Sequence, residues 1–123
     1  MVKVLKGGKS MKLIFAIIQE ADVRGLLSRL IDKGYKATKL ASTGGFLKAR
    51  NTTLLIGVEE EKVENALRII KENCRKRTIL DPIPAYSIGA HGEYIHMDPV
   101  EYVVGGATVF VIDAIDYSKE MED

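Results

Sequence analysis

The sequence has no tryptophan, three prolines and a single cysteine, Cys74, in 123 residues. One cysteine cannot form an internal disulfide, so we expect a protein of the reducing cytoplasm. A net charge of only +1 excludes the strong overall field that draws in DNA or RNA. No apolar run approaches membrane length, and the run at residues 13–18 is too short for the core of a signal peptide. These absences leave a small globular protein.

The length and the pattern at the start of the chain predict one domain. Residues 1–10 lack a clear pattern, whereas a clean strand pattern begins at Met11. We therefore expect a flexible extension at 1–10 and a single domain at 11–123.

A strand, an acidic turn and an amphipathic helix occur twice, at residues 12–33 and 52–75. Asp22 is the predicted N-cap of the first helix, and Gly34 stands where that helix should stop. An extended segment is predicted after each helix. Two such β-α-β units predict an α+β, ferredoxin-like sandwich.

The region before the C-terminal strand differs from the rest of the chain. All three prolines and both histidines lie between residues 80 and 99, where periodicity is weak. We predict a long loop there, of the kind that is often functional. A last strand is predicted over residues 100–112, with a bulge or bend at Gly105 and Gly106.

The predicted strands at 12–18, 52–58 and 107–112 are apolar on both faces. Two helices can cover only one face of such a sheet. A large exposed apolar patch is unfavourable, so the other face should be covered by another subunit. The alternative is that the long loop folds over it.

The stretch from Thr38 to Gly57 has the composition of an anion-binding site. Five cations and no acid lie between residues 33 and 58. Gly44 and Gly45 allow a close approach of the backbone to a ligand, and Phe46 can stack on a planar ring. These residues suit a nucleotide-like molecule. A hairpin turn with a solvated basic face remains open as the alternative.

Other chemistry has less support in the sequence. His91, Glu93, His96 and Asp98 could supply metal ligands, but their spacing matches no strong signature. Cys74 continues the apolar stripe of its helix and is interpreted as a small buried hydrophobe. No serine-nucleophile pattern is present. We therefore expect a protein that is not an enzyme.

Four stretches together carry a family resemblance, at residues 11–19, 37–58, 69–77 and 104–111. The most distinctive is STGGFL followed by NTT within the second stretch. The sequence closely resembles the PII-like cyclic di-AMP receptor family. The resemblance implies a homotrimeric signal-transduction sensor with ferredoxin-like subunits. It also implies cyclic di-AMP in clefts between subunits, and occupancy relayed through two loops to an unknown protein partner.

The resemblance also implies a set of ligand-binding residues and no cofactor or metal. Phe46 would stack on adenine, worth about 1–3 kcal/mol. Asn51 would read an adenine edge or hold phosphate, and Thr38 would donate a hydroxyl to phosphate. Lys36 stands where relatives often carry arginine, so the charge is kept without the bidentate fork. The full predicted set is Lys36, Thr38, Gly45, Phe46, Leu47, Asn51, Gly57 and Phe110.

The chain departs from the family at residues 87–102, which differ from the shorter glycine-rich stretch typical there. Three other functions remain open on the sequence. One is a PII-type sensor of ATP or ADP, and another is a metal-binding trimer that uses the 91–98 loop. An RNA-binding sheet is a more distant third, because only Phe46 is an obvious stacking platform.

Overall fold

The structure is a computed structural model that describes residues 7–40, 51–80, 86–88, 92, 94–96 and 101–122. In chain order the elements are β1 (Lys9–Gln19), α1 (Glu20–Asp32), β2 (Lys36–Leu40), β3 (Asn51–Val58), α2 (Val63–Asn73), β4 (Arg77–Leu80), β5 (Tyr86–Ile88), β6 (Tyr94–His96), β7 (Glu101–Val104) and β8 (Ala107–Asp116). Short 3-10 helices lie at Glu60–Lys62 and Ser118–Met121. Among these elements, no helix is long and apolar enough to cross a membrane.

The main sheet has four strands in the order β2-β3-β1-β8, and each neighbouring pair is antiparallel. Helix α1 connects β1 to β2, and α2 follows β3 on the way to β8. This order and connectivity are those of the ferredoxin-like sandwich, so the predicted fold class is confirmed.

The core lies between this sheet and the two helices. Every second residue is buried from Ile14 in β1 and from Thr52 in β3. They pack against Leu26, Leu30 and Ile70 of the helices, all at most 2% exposed. Burying each of these side chains contributes about 1.5–3 kcal/mol. The strict alternation means that the helices cover one face of the sheet only, as predicted.

The predicted stop of α1 is confirmed and its predicted N-cap is wrong. Gly34 has φ +84°, and the amides of Gly34 and Tyr35 donate to the carbonyls of Ile31 and Leu30. This is a Schellman ending, which favours glycine. At the other end the helix begins at Glu20, so Asp22 lies within the first turn. Asp22 is buried there because its carboxylate pairs with a cation from β4.

The connection from α2 to β8 contains two pairs of short strands. Strands β4 and β7 pair from Arg77↔Val104 to Leu80↔Glu101, and β5 pairs with β6. The predicted strand over 100–112 is therefore two strands in different sheets. Gly105 and Gly106, with φ +88° and +91°, form the turn between them. We call the β4–β7 pair (residues 77–80 and 101–104) the arm.

The predicted extension overlaps the main sheet at its end. Lys9 and Ser10 pair with Asp116 and Ile115 as the first residues of β1. The placement of residues 1–6 lies outside the described part of the chain, so the flexible extension stays a prediction there.

Candidate functional site

The face of the sheet opposite the helices carries three cross-strand rows of side chains, which we call the open face. Paired residues of antiparallel strands point to the same side of a sheet. The rows, each written from β2 to β8, are Lys36-Gly57-Leu13-Ile112, Thr38-Leu55-Phe15-Phe110 and Leu40-Thr53-Ile17-Thr108.

The open face is apolar at its centre and is not covered by any described residue. Leu13, Phe15 and Ile17 are half-buried, and on the edge strand Phe110 and Ile112 are 55% and 49% exposed. A contiguous apolar patch of this kind marks an interaction surface. The sequence predicted such a face from strands that are apolar on both sides.

All five predicted ligand residues that the structure describes point to the open side of the sheet. Lys36 and Thr38 lie on β2, Asn51 and Gly57 on β3, and Phe110 on β8. The predicted Gly45, Phe46 and Leu47 lie outside the described residues. The ligand roles of all eight residues stay predictions.

The described ligand residues form two groups at opposite edges of the sheet. Thr38 and Phe110 end the same row and are three strand spacings apart, about 14 Å. Along β3, Asn51 and Gly57 lie near opposite ends. Asn51 borders a cavity of about 270 Å³ with Gln19, Lys76 and Thr108. Lys36 and Gly57 border a second cavity of about 260 Å³.

The charge of this region differs from the sequence prediction at one position. Lys39 pairs with Glu20 at 3.0 Å, so that cation is neutralised. Among the described residues, Lys36 makes no ion pair and is exposed. Lys36 is therefore the cation of β2 that can hold an anion. The pairing partner of Lys39 lies 19 residues away, and the local run of cations gave no sign of it.

Glu20 is held by two strands at once. The Thr52 hydroxyl and the Lys39 ammonium both donate to its carboxylate. These hydrogen bonds lower the pKa of Glu20 below its ordinary value near 4.5, with Thr52 as the larger cause. The ionised form is thus favoured by folding. The ionised Glu20 carboxylate therefore stabilises the folded protein at pH values above its ordinary pKa, and this stabilisation is lost as the pH falls through the lowered pKa.

The residues at the start of α1 were not predicted as functional. The Gln19 side chain accepts a hydrogen bond from the Gly105 amide at 2.8 Å. The Arg77 guanidinium contacts the Asp22 carboxylate at 2.8 Å. These contacts join residues 86 and 55 positions apart, and only an acidic first turn was visible in the sequence.

Candidate metal ligands are not brought together in the part of the chain that is described. No group of three or more histidine, cysteine, aspartate or glutamate side chains there could hold a metal ion. His96 lies in β6, whereas residues 91, 93 and 98 lie outside the described residues.

Cys74 is expected to be nearly inert toward thiol reagents in the native protein. Its side chain is buried at the end of α2, and burial raises the pKa of the thiol to about 11, with a further contribution from the Asp22 carboxylate. At pH 8 the reactive thiolate should be at least about 100-fold scarcer than for an ordinary cysteine. Labelling with a chromogenic disulfide should be correspondingly slow and become fast in guanidinium. Fast labelling of the folded protein would contradict this placement.

One comparison with known proteins identifies a family. A family model for the cyclic di-AMP receptor matches residues 11–120. A functionally unknown protein from Pediococcus pentosaceus is similar, with 38% identity and a TM-score of 0.65 over 85% of this chain and 92% of that chain.

Two further solved structures are similar at lower identity. CPII from Thiomonas intermedia, a nitrogen regulatory PII-like protein bound to ADP, AMP and bicarbonate, has 17% identity and a TM-score of 0.49, covering 89% of this chain and 94% of that chain. A PII-like signalling protein from Thermus thermophilus has 16% identity and a TM-score of 0.49, covering 94% and 98%. Since the family model matches most of its length, this chain belongs to the cyclic di-AMP receptor family.

Proposed function

We propose that this protein is a signal-transduction sensor that binds cyclic di-AMP between the subunits of a homotrimer. The observation that carries the proposal is the split of the predicted ligand residues between the two edges of one sheet face. Lys36, Thr38 and Asn51 lie toward one edge, and Phe110 lies on the other. A cleft that contains both groups forms when the β8 edge of one subunit lies beside the β2–β3 edge of the next.

The chemistry of the first group fits the ligand. Cyclic di-AMP carries two adenines and two phosphodiesters in one ring. The Lys36 ammonium makes no ion pair within 4 Å among the described residues, although the Asp116 carboxylate borders the same cavity, and it can approach a phosphate. The Thr38 hydroxyl can donate to the same group, and the Asn51 amide can pair with an adenine edge, as asparagine does with adenine in DNA.

The second group and the open face support assembly. Phe110 is 55% exposed although it is a large aromatic residue. A neighbouring subunit that covers the open face would bury Phe110 beside the ligand, where it shapes the cleft. Three copies related by a closed rotation bury three such faces and give three equivalent sites. No metal is needed, because Lys36 and backbone dipoles balance the phosphates.

The ligand is tested by calorimetric titration of the purified protein with cyclic di-AMP in the presence of EDTA. We expect saturable binding near one ligand per subunit, with ATP, ADP and cyclic di-GMP as weaker competitors. Selective binding of ATP or ADP would replace this function with that of an adenine-nucleotide sensor. Binding that is lost in EDTA would overturn the metal-free site.

Substitutions at the first group should weaken cyclic di-AMP binding. Lys36→Ala is expected to lower the affinity about 10- to 100-fold, since a hydrogen bond to a charged group contributes about 1.5–3 kcal/mol. Asn51→Ala should have an effect of the same order, since a bidentate pair of asparagine with adenine contributes about 1–3 kcal/mol. Lys33→Ala is the matched control, because Lys33 is an exposed lysine in the turn after α1 and outside the open face. Unchanged affinity in both site variants, with the control also unchanged, would remove these residues from the site.

A further inference from the structure

The point where β1 passes into α1 contacts two parts of the molecule that do not contact each other through side-chain hydrogen bonds among the described residues. We call Gln19, the last residue of β1, together with Glu20 and Asp22 of the first helical turn, the α1 turn. Three polar side chains within four residues each reach a different long-range partner. They are separated from those partners by 19 to 86 positions in the sequence.

On one side, the α1 turn holds the two strands that carry the proposed ligand residues. Glu20 accepts hydrogen bonds from Lys39 of β2, at 3.0 Å, and from Thr52 of β3. Lys39 follows Thr38, and Thr52 follows Asn51. Any change in the spacing of β2 and β3 at this end therefore acts on Glu20.

On the other side, the α1 turn binds the base of the arm, where residue 77 begins β4 and residue 104 ends β7. Gln19 accepts from the Gly105 amide, directly after β7, and Asp22 pairs with Arg77, the first residue of β4. Arg77 and Val104 are themselves a cross-strand pair. Both strands of the arm are thus attached where β1 passes into α1.

The base of the arm is packed closely against neighbouring backbone. A Cβ on Gly105 would lie 2.1 Å from the Arg75 carbonyl oxygen, and the Gly106 amide donates to the Cys74 carbonyl at 2.5 Å. Within the described part of the chain, the Asp22 Oδ2 atom is buried without a hydrogen-bond partner, so Arg77 supplies the one side-chain hydrogen bond of that carboxylate there. The residues at the base of the arm are thus held by the end of α2 as well as by the α1 turn.

We propose that the α1 turn mechanically couples the ends of β2 and β3 to the arm, so that a ligand held by Asn51 and Thr38 changes the position or order of the arm. The end of β1 and the first turn of α1 are consecutive residues of two packed elements, and rigid secondary elements transmit displacements between sites. The proposal rests on the proposed function for the identity of the effector. The coupling itself is a property of the ligand-free chain.

The test is amide hydrogen exchange of the full chain, read at the arm and at β2. Glu20→Ala removes side-chain hydrogen bonds to β2 and β3 only. It should nevertheless accelerate amide exchange in residues 77–80 and 101–104 at least threefold. Gln19→Leu removes the side-chain hydrogen bond to Gly105 and leaves the backbone pairing of Gln19 with Asn51 in place, yet should accelerate exchange in residues 36–40 by a similar factor. Thr52→Val is a second variant that weakens the strand side and leaves the sequence of α1 unchanged.

Two controls separate coupling from a loss of stability. Lys9→Ala removes an ion pair with Glu59 at the other end of β1 and should change neither region. Exchange of the central β1 residues 13–17 should be the same in every variant. Glu20→Gln, which retains an acceptor for Thr52, should restore most of the protection of the arm.

The exchange rates of the ligand-free variants test the coupling, and the measurements with cyclic di-AMP test the ligand. Acceleration confined to the strands in Glu20→Ala and Thr52→Val, with the arm at the wild-type rate, overturns the coupling. The same exchange measurements are then repeated with saturating cyclic di-AMP, which should change protection of the arm in the wild type and not in Gln19→Leu. Failure of cyclic di-AMP to bind the wild type would remove the proposed function, while the ligand-free rates still decide the coupling.

Discussion

Phe15→Asp is expected to convert the proposed trimer, about 41 kDa as three chains of 13.6 kDa, into monomers. Phe15 lies at the centre of the open face, between Leu55 and Phe110 in one cross-strand row. In a trimer that buries this face, the change would place three carboxylates in an apolar interface. Each buried charge without a partner costs several kcal/mol, about the contribution of two or three apolar side chains. Light scattering coupled to size exclusion measures the mass.

A matched change on the helical side separates assembly from solubility. Ile31 is 62% exposed on α1, so Ile31→Asp introduces the same charge at an exposed apolar residue outside the open face. We expect this variant to keep the mass of the wild type. Retention of the trimer mass by Phe15→Asp, with native circular dichroism, would show that the open face is not the subunit interface.

Arg77→Ala is expected to lower the free energy of unfolding by about 3 kcal/mol, the lower part of the range for a broken buried ion pair. Asp22 is 6% exposed, and its second carboxylate oxygen has no hydrogen-bond partner among the described residues. Without Arg77 neither oxygen would be paired, and a buried carboxylate without a partner is costly. Because the Arg77 side chain is 43% exposed, water can reach part of the site and limit the loss. Urea unfolding followed by circular dichroism measures it.

The double variant Asp22→Asn with Arg77→Ala identifies the cause. An amide carries no charge, so we expect the double variant to be more stable than Arg77→Ala alone. If instead the two losses add, the destabilisation comes from lost packing of the arginine chain and the buried charge is not its cause.

The main sheet was predictable because its strands are apolar runs bounded by helices with a clear amphipathic pattern. Gly34 ends α1 through its own backbone conformation, which a local pattern reports well. The arm was harder to predict. Residues 77–80 and 101–104 pair across 20 to 26 intervening positions. Their exposed apolar residues, such as Leu80 and Val103, show no burial alternation. Local periodicity carries no signal for such a pairing.

In the candidate site too, features that depend on local sequence were predicted, whereas contacts between distant residues were not. Composition indicated an anion-binding stretch around residues 38–57, and the resemblance supplied the individual residues, of which five point to the open side of the sheet. The pairing of Lys39 with Glu20 and of Asp22 with Arg77 depends on the packed fold. Asp22 was predicted as a cap for this reason, since aspartate before an amphipathic helix is a common local signal and its partner lies 55 residues later.

The pairing of Arg77 with Val104 has a consequence for how this fold can be modified. These two residues are about 5 Å apart as a cross-strand pair, so the segment between them is a closed excursion from the main sheet whose ends are held together. Doubling the length of such an excursion adds only about 0.6 kcal/mol of closure entropy. Relatives can therefore differ in the size and composition of this excursion while they keep the same four-stranded sheet. For the same reason, it is the natural insertion point for a fluorescent reporter domain.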